Sequence, residues 1–257
     1  MWTWFYRLAS PPHFYALAGS LSRWLVIPAV GLMLVAAFGG LFMAPADYQQ
    51  GDAFRIIYVH VPSAYLSMMI YVTMAVAGAI GLIWRIKLAH AVAASCAPIG
   101  ASFTFAALVT GAVWGKPMWG TYWDWDPRLT SELILLFLYF GYMGLRSAFE
   151  NLAQADRASA ILAIAGVVNV PIIHFSVIWW ASLHQGPTLS KLGAPSIPGD
   201  MLWPLLTMIL AFTLFFLGNL AARVRSEVLE REFQSRWAQD ALAGADPRGP
   251  IDAVGVR

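Results

Sequence analysis

Residues 91–115, AVAASCAPIGASFTFAALVTGAVWG, carry no charged side chain until Lys116. A helix rises about 1.5 Å per residue, so roughly 20 apolar residues cross a hydrocarbon core of about 30 Å. This stretch is long enough, and its neighbours repeat the pattern. Residues 24–46, 61–84, 158–183 and 201–222 are also free of Asp, Glu, Lys and Arg. Between Glu132 and Arg146 the uncharged run is shorter, covering 133–145. It reaches spanning length as 131–149 if Arg146 snorkels to the headgroups; a re-entrant segment is the alternative. The spans are thus predicted at about 24–43, 62–84, 92–114, 131–149, 159–182 and 201–222. The fold class is an all-α integral membrane protein of six transmembrane helices.

Composition points the same way. Of 257 residues, 59% are hydrophobic and only 12% charged. Soluble domains carry about a quarter charged residues. With 14% aromatics the chain is not a disordered one. Its single cysteine, Cys96, excludes a disulfide framework, a CxxC thiol site and covalent CxxCH heme attachment. A net charge of +2 gives no argument for nucleic acid. No GxxxxGK[ST] loop is present, so any ATPase lies on another chain.

Six spans divide the 16 basic residues unevenly. Arg7, Arg23, Arg85, Lys87, Arg146, Arg157 and the tail arginines fall on one side. Arg55, Lys116, Arg128 and Lys191 fall on the other. The positive-inside rule predicts both termini in the cytoplasm and outward loops at 44–60, 115–130 and 184–200. Ala44-Pro45-Ala46 imitates a signal-peptide cleavage site, but the apolar run before it is too long for a signal core, so the first span is read as uncleaved. The aromatic residues 2–15 are expected at the cytoplasmic interface. The tail 223–257 is expected as a charged helix to 240 and loose chain beyond.

Four of the 12 tryptophans crowd into the second outward loop, 114–128, WGKPMWGTYWDWDPR. Trp119, Tyr122, Trp123 and Asp126 stand at i, i+3, i+4 and i+7, one face of a helix if the stretch is helical. Gly115, Pro117, Gly120 and Pro127 limit such a helix to a short piece, able to lie along the membrane surface. Interfacial belts gather Trp and Tyr without any ligand. Four tryptophans bracketed by glycines and followed by carboxylates suit a platform for a flat ligand better. Asp126 also reads as an N-cap, with Pro127 at the first helical position.

Two of the five histidines sit at the same level as this loop. His60 precedes Pro62 at the outer end of span two, and His184 precedes Gly186-Pro187, the stop signal of span five. Paired imidazoles beside aromatic walls suit heme iron. Arg55, Lys116 and Arg128 offer a basic rim for propionates, or are ordinary outward charges. His13 and His90 receive no role. His174, about 15 Å along the helix from His184, falls near mid-membrane. There it is a functional candidate or a polar contact beside Asn169 and Pro171.

The stretch from Trp114 to Asp126, continued by Arg128-Leu129-Thr130-Ser131-Glu132, resembles the tryptophan-rich WWD signature of heme-handling membrane proteins. With six spans and flanking histidines, the chain resembles the heme exporter protein C family over nearly its whole length. Tyr122 and Asp124 stand where relatives often carry Trp and an aliphatic residue.

The resemblance implies heme b held at the outer face by His60 and His184 as axial ligands. Trp114, Trp119, Tyr122, Trp123, Trp125 and Asp126 would support it, with Arg55 and Arg128 at its edge. It further implies delivery to a periplasmic heme chaperone and partnership with ABC transporter ATPase and permease subunits and a small single-span subunit. On this reading the chain is a carrier in membrane lipid, not an enzyme. A heme lyase shares the motif but should be much longer, and a solute permease would lack a Soret band.

Overall fold

Prolines and glycines set most of the helix boundaries. In the computed structural model, which describes residues 10–180, 182–184 and 196–247, the first helix α1 (Pro11–Phe38) begins on two prolines and passes into a π-turn at Gly39–Met43. Helix α2 (Ile57–Trp84) follows a short 3-10 turn at Asp52–Ile56 and ends at Arg85 in the left-handed conformation. Helix α3 (Lys87–Trp119) stops where Gly120 adopts φ 77°, a conformation glycine takes without Cβ strain. Helix α4 (Pro127–Ser147) starts on a proline at its first position, with Asp126 as N-cap. Helices α5 (Leu152–Gly166) and α6 (Asn169–Trp179) form the two halves of one membrane-length unit, and α7 (Gly199–Arg231) precedes a short α8 (Arg236–Leu242).

Six helical units are long and apolar enough to cross a membrane: Pro11–Met43, Asp52–Trp84, Lys87–Trp119, Pro127–Ser147, Leu152–Trp179 and Gly199–Arg231. No strand forms among the described residues, and a lone β-bridge joins Asp47 to Gly51. The chain is an all-α membrane protein.

Helices α2 and α3 pair closely, with α4, α5 and α7 laid against them; α1 packs mainly along α7. The core lies where α2, α3 and α4 meet, around Leu66, Ile70, Tyr71, Cys96, Leu135 and Tyr139. Tyr139 donates from its hydroxyl to the Ser67 carbonyl at 2.8 Å, satisfying a polar group deep in that core. The outer face of α1 keeps Trp24, Ile27, Leu34 and Phe38 exposed, a surface suited to lipid.

Three expectations gain detail. The fifth unit is broken at residues 167–168: Pro171 has no N–H to close the ladder there, and the Asn169 side chain donates to the Ser131 carbonyl of α4 at 2.8 Å. Arg146 finds partners within the protein. It bonds Glu227 of α7 and lies 3.7 Å from Asp156 of α5, which Arg231 grips with two bonds of 2.7 and 2.9 Å. The charged tail helix is continuous with α7 as far as Arg231 and then turns at residues 232–235. The expectations for residues 2–9, for Lys191 and for 248–257 lie outside the described residues.

Candidate functional site

The tryptophan-rich stretch is not one surface helix. Trp114 and Trp119 ride the last turns of α3, and residues 120–126 form an irregular link to α4. The cause is local: Gly120 ends the helix, its N–H bonding the Lys116 carbonyl at 3.0 Å, and Lys116 Nζ folds back to the Gly120 carbonyl at 2.9 Å. Thr121 Oγ1 then donates to the Trp123 carbonyl at 2.9 Å and holds the link bent. The i, i+3, i+4, i+7 face therefore does not form. Trp119 and Asp126 still converge, because the bent link brings both to His184.

His60 stands one turn into α2, facing α3. Its Nδ1 lies 3.0 Å from Thr110 Oγ1. Thr110 directs its own hydroxyl hydrogen to the Ala106 carbonyl at 2.7 Å. The threonine oxygen can then only accept from the histidine, which puts the ring proton on Nδ1 and the lone pair on Nε2. Gly111 keeps this seat open: a Cβ there would come within 3.0 Å of His60 Cε1. Trp114 meets the His60 ring edge-on, centroids 5.5 Å apart, and is steadied by Phe54 at 5.9 Å and by a 2.8 Å bond from its Nε1 to Gln50 Oε1.

His184 lies beyond the end of α6, not on it. The helix stops at Trp179, with Trp180 extended, several residues before the expected Gly186-Pro187 stop. The turn Ser182-Leu183-His184 is held by Asp126: the Leu183 amide donates to Asp126 Oδ2 at 3.0 Å, and His184 Nδ1 lies 3.4 Å from Oδ1. The same carboxylate caps α4, accepting from the Arg128 and Leu129 amides at 2.8 and 3.4 Å. Trp119 packs against the His184 ring with centroids 4.8 Å apart.

Charges reinforce this arrangement. Burial, then the positive charge of Arg128, push the His184 imidazole down to about 4, against the opposing pull of Asp126. Burial alone would raise the Asp126 carboxyl. Hydrogen bonds from Ser182 and from the Arg128 and Leu183 amides, with the nearby His184, hold it below its ordinary value. His60, His184 and Arg128 all lie within electrostatic reach of one another. Near neutral pH His184 is uncharged, with Nδ1 facing a carboxylate and Nε2 left as the donor nitrogen.

The other sequence candidates fall in different places. Arg55 directs Nη1 to the Gly40 and Ala44 carbonyls at 2.7 and 2.9 Å and Nε to Asp52 at 2.8 Å, which ties down the 44–51 loop. Trp123 meets Trp125 edge-on at 5.6 Å, while Tyr122 and Trp125 are exposed. Lys116 Nζ lies 5.3 Å above the Tyr122 ring. His174 contacts Phe175 at 4.7 Å.

Sequence reasoning missed Thr110, Gly111, Gln50 and Ser182. Thr110 and Gly111 lie four and three residues before Trp114, on neighbouring turns of one helix, and that spacing was the available signal. Nothing local marks Gln50. Among the described residues no third His, Cys, Asp or Glu completes a metal site made by protein alone.

A family model described as heme exporter protein C matches residues 4–239. The chain is 49% identical over 243 residues to heme exporter protein C of Haemophilus influenzae, covering 95% of this chain and 98% of that one. It is 49% identical over 242 residues to the Escherichia coli K12 protein of the same name, covering 94% and 98%. The Bradyrhizobium diazoefficiens relative is 46% identical over 228 residues, covering 89% and 86%. A match of this extent, over all six apolar helical units and the tryptophan-rich link, places the chain in the heme exporter protein C family.

Proposed function

We propose that this protein handles heme in cytochrome c maturation, holding heme b between His60 and His184 at the periplasmic end of the bundle. From there it hands the heme to a periplasmic heme chaperone. The observation that carries the reading is the seating of the two imidazoles: His60 Nδ1 lies 3.0 Å from Thr110 Oγ1, and His184 Nδ1 lies 3.4 Å from Asp126 Oδ1. The chemistry of the donor set fits the group: each imidazole stands against a tryptophan, Trp114 for His60 and Trp119 for His184, which suits a flat apolar ring system with a metal that takes histidine.

When bound, heme would supply a redox-active iron that His60 and His184 would hold. The chain's own residues do the rest. Asp126 orients His184 and supports its basicity. Trp114 and Trp119 wall the two rings, and Trp123, Trp125 and Tyr122 extend the apolar surface outward. Arg128, which also lies within electrostatic reach of Glu132 and Asp126, is the cation we assign to a propionate; Arg55 serves the adjacent loop. This makes the chain a carrier, working with ABC transporter ATPase and permease subunits and a small single-span subunit in the bacterial inner membrane. Both termini are then cytoplasmic.

The test is an absorption spectrum of the purified full-length protein, wild type and His60→Ala/His184→Ala. A low-spin Soret band is expected in the first and lost in the second. A band unchanged by the double substitution disposes of the axial pair. Orientation is checked separately: an external thiol reagent should label Gln50→Cys and Thr121→Cys but neither Leu88→Cys nor Ala153→Cys.

A further inference from the structure

At the end of the bundle remote from His60 and His184, a cavity of about 330 Å³ opens between the end of α2 and the starts of α3 and α5. It is lined by Arg85, Lys87, His90, Asp156 and Arg157, together with Gly81, Leu82 and Ala153. Its one carboxylate is already engaged, because Asp156 takes both bonds from Arg231 and lies beside Arg146. Arg85, Lys87 and Arg157 are exposed, and none has an ion pair among the described residues. Three uncompensated cations therefore ring the cavity.

One helix start adds to them: α3 begins at Lys87 with no side-chain cap and no acidic residue in its first turn, whereas the start of α5 beside the same space is already capped by Asn151. Beneath the rim, the His90 ring lies against Gly81 and forms the floor of the cavity. An anion with several acceptor oxygens would satisfy the cations and the free amides at the start of α3 together. The cavity lies where three membrane-length helices end, which is headgroup depth for a spanning bundle.

We propose that this cavity is a binding site for a phosphate group, that of an anionic phospholipid headgroup. The site is separate from the heme site and does not depend on its assignment. The acyl chains would lie along the exposed apolar side chains Val76 and Ile83 of α2, and the headgroup phosphate would enter between Arg85, Lys87 and Arg157.

Native mass spectrometry of the full chain, with phosphatidylglycerol, phosphatidylcholine or inorganic phosphate added, tests this. The variants are Arg85→Gln/Lys87→Gln/Arg157→Gln and a control, Arg23→Gln/Arg223→Gln/Arg236→Gln, that removes equal charge from the same end of the bundle. Retention of phosphatidylglycerol should fall about fivefold per cation removed from the cavity, about a hundredfold for the triple variant, and little in the control. Arg85→Gly guards against misfolding as an explanation, since it removes charge while relieving the φ of 55° at that position. It should lower retention without lowering thermal stability. Retention of inorganic phosphate with the same variant dependence, but not of the lipid, would support the phosphate chemistry and identify a free anion as its source. Equal loss in the cavity triple and the control, or no preference for phosphatidylglycerol over phosphatidylcholine without phosphate binding, overturns the site.

Discussion

The two histidines are held by different means. His60 sits on a long helix, its Nδ1 bonded to Thr110 of the neighbouring helix α3, with Gly111 and Trp114 completing the seat. Every part of that seat is carried by the closely packed α2–α3 pair. His184 sits on a short turn beyond the end of α6, and Asp126 ties the turn to the start of α4. One half is preorganised by helix packing, the other by a single carboxylate that also caps a helix. A bound group gripped from both sides is therefore held more rigidly on the His60 side, and the His184 side is the half able to yield when the group leaves.

Removing one of the two proposed ligands has the largest expected effect. His60→Gly and His184→Gly should each lower heme retention by more than the roughly 10–100-fold that a change in an outer-shell partner costs. The two should differ in rescue. At position 60 the helix-walled seat survives the substitution, so added imidazole should refill it and restore the Soret band. At position 184 the turn loses the ring packed against Trp119, and rescue should be weaker. Equal rescue at both positions would remove the asymmetry.

Asp126 comes next. Asp126→Ala should cost about 10–100-fold in heme retention, and about 1 kcal/mol of stability through the lost cap. Asp126→Asn separates the two roles, because asparagine caps helices as well as aspartate. It should keep the stability and still shift the iron's reduction potential, since the charge facing His184 is gone. Thr110→Val removes the corresponding acceptor from His60 but leaves the ring seated between helices. Its effect on retention should be smaller than that of Asp126→Ala; a larger effect reverses the ranking of the two halves.

Acid provides a milder perturbation. Because burial and Arg128 hold His184 down near 4, a proton competes for Nε2 only as the pH approaches that value. Heme retention should be flat from pH 8 to pH 6 and fall below about pH 5. Arg128→Gln takes away one of the two influences that depress the imidazole, so the acid limb should move to higher pH. Loss of retention already near pH 6.5 in the wild type would mean that His184 is not shielded.

How much of this was legible in the sequence follows the range of the forces involved. Five of the six membrane-length helices were readable because each depends on a long local run without charge, as in 91–115; the fourth, uncharged only over 133–145, was legible through the alternation of basic residues. The N-cap role of Asp126 was readable because the cap and Pro127 are adjacent. The partners of Asn169 and Arg146 were not, because they lie far along the chain: Ser131 for Asn169, Glu227 and Asp156 for Arg146. At the candidate site, residue types and depth pointed to His60, His184 and the tryptophans. The helical face through Trp119 and Asp126 failed because a single glycine, Gly120, ended the helix. Their meeting at His184 arises from a long-range contact that no period of the sequence encodes.

The smallest expected effect on ligation, and the one that separates holding from handing over, lies in the tryptophan-rich link. Trp119 packs on His184, but indole nitrogen is a donor and cannot bind iron. Trp123 and Trp125 touch each other and, with the exposed Tyr122, extend the aromatic surface away from the imidazoles. Trp119→Ala with Trp123→Ala should therefore leave the Soret band recognisable, with both Nε2 donors in place. The link is irregular from 120 to 126 and is fixed chiefly by Thr121 and by the Asp126 cap, so a docking chaperone can reshape it without unfolding a helix. Loss of its aromatic faces should lower chaperone-bound heme in cells more than it lowers heme on this chain. If the tryptophans only set membrane depth, phenylalanine at both positions should transfer as wild type does and so should alanine. Full transfer by the double alanine variant rules out the platform and leaves the two histidine seats as the whole of the heme site.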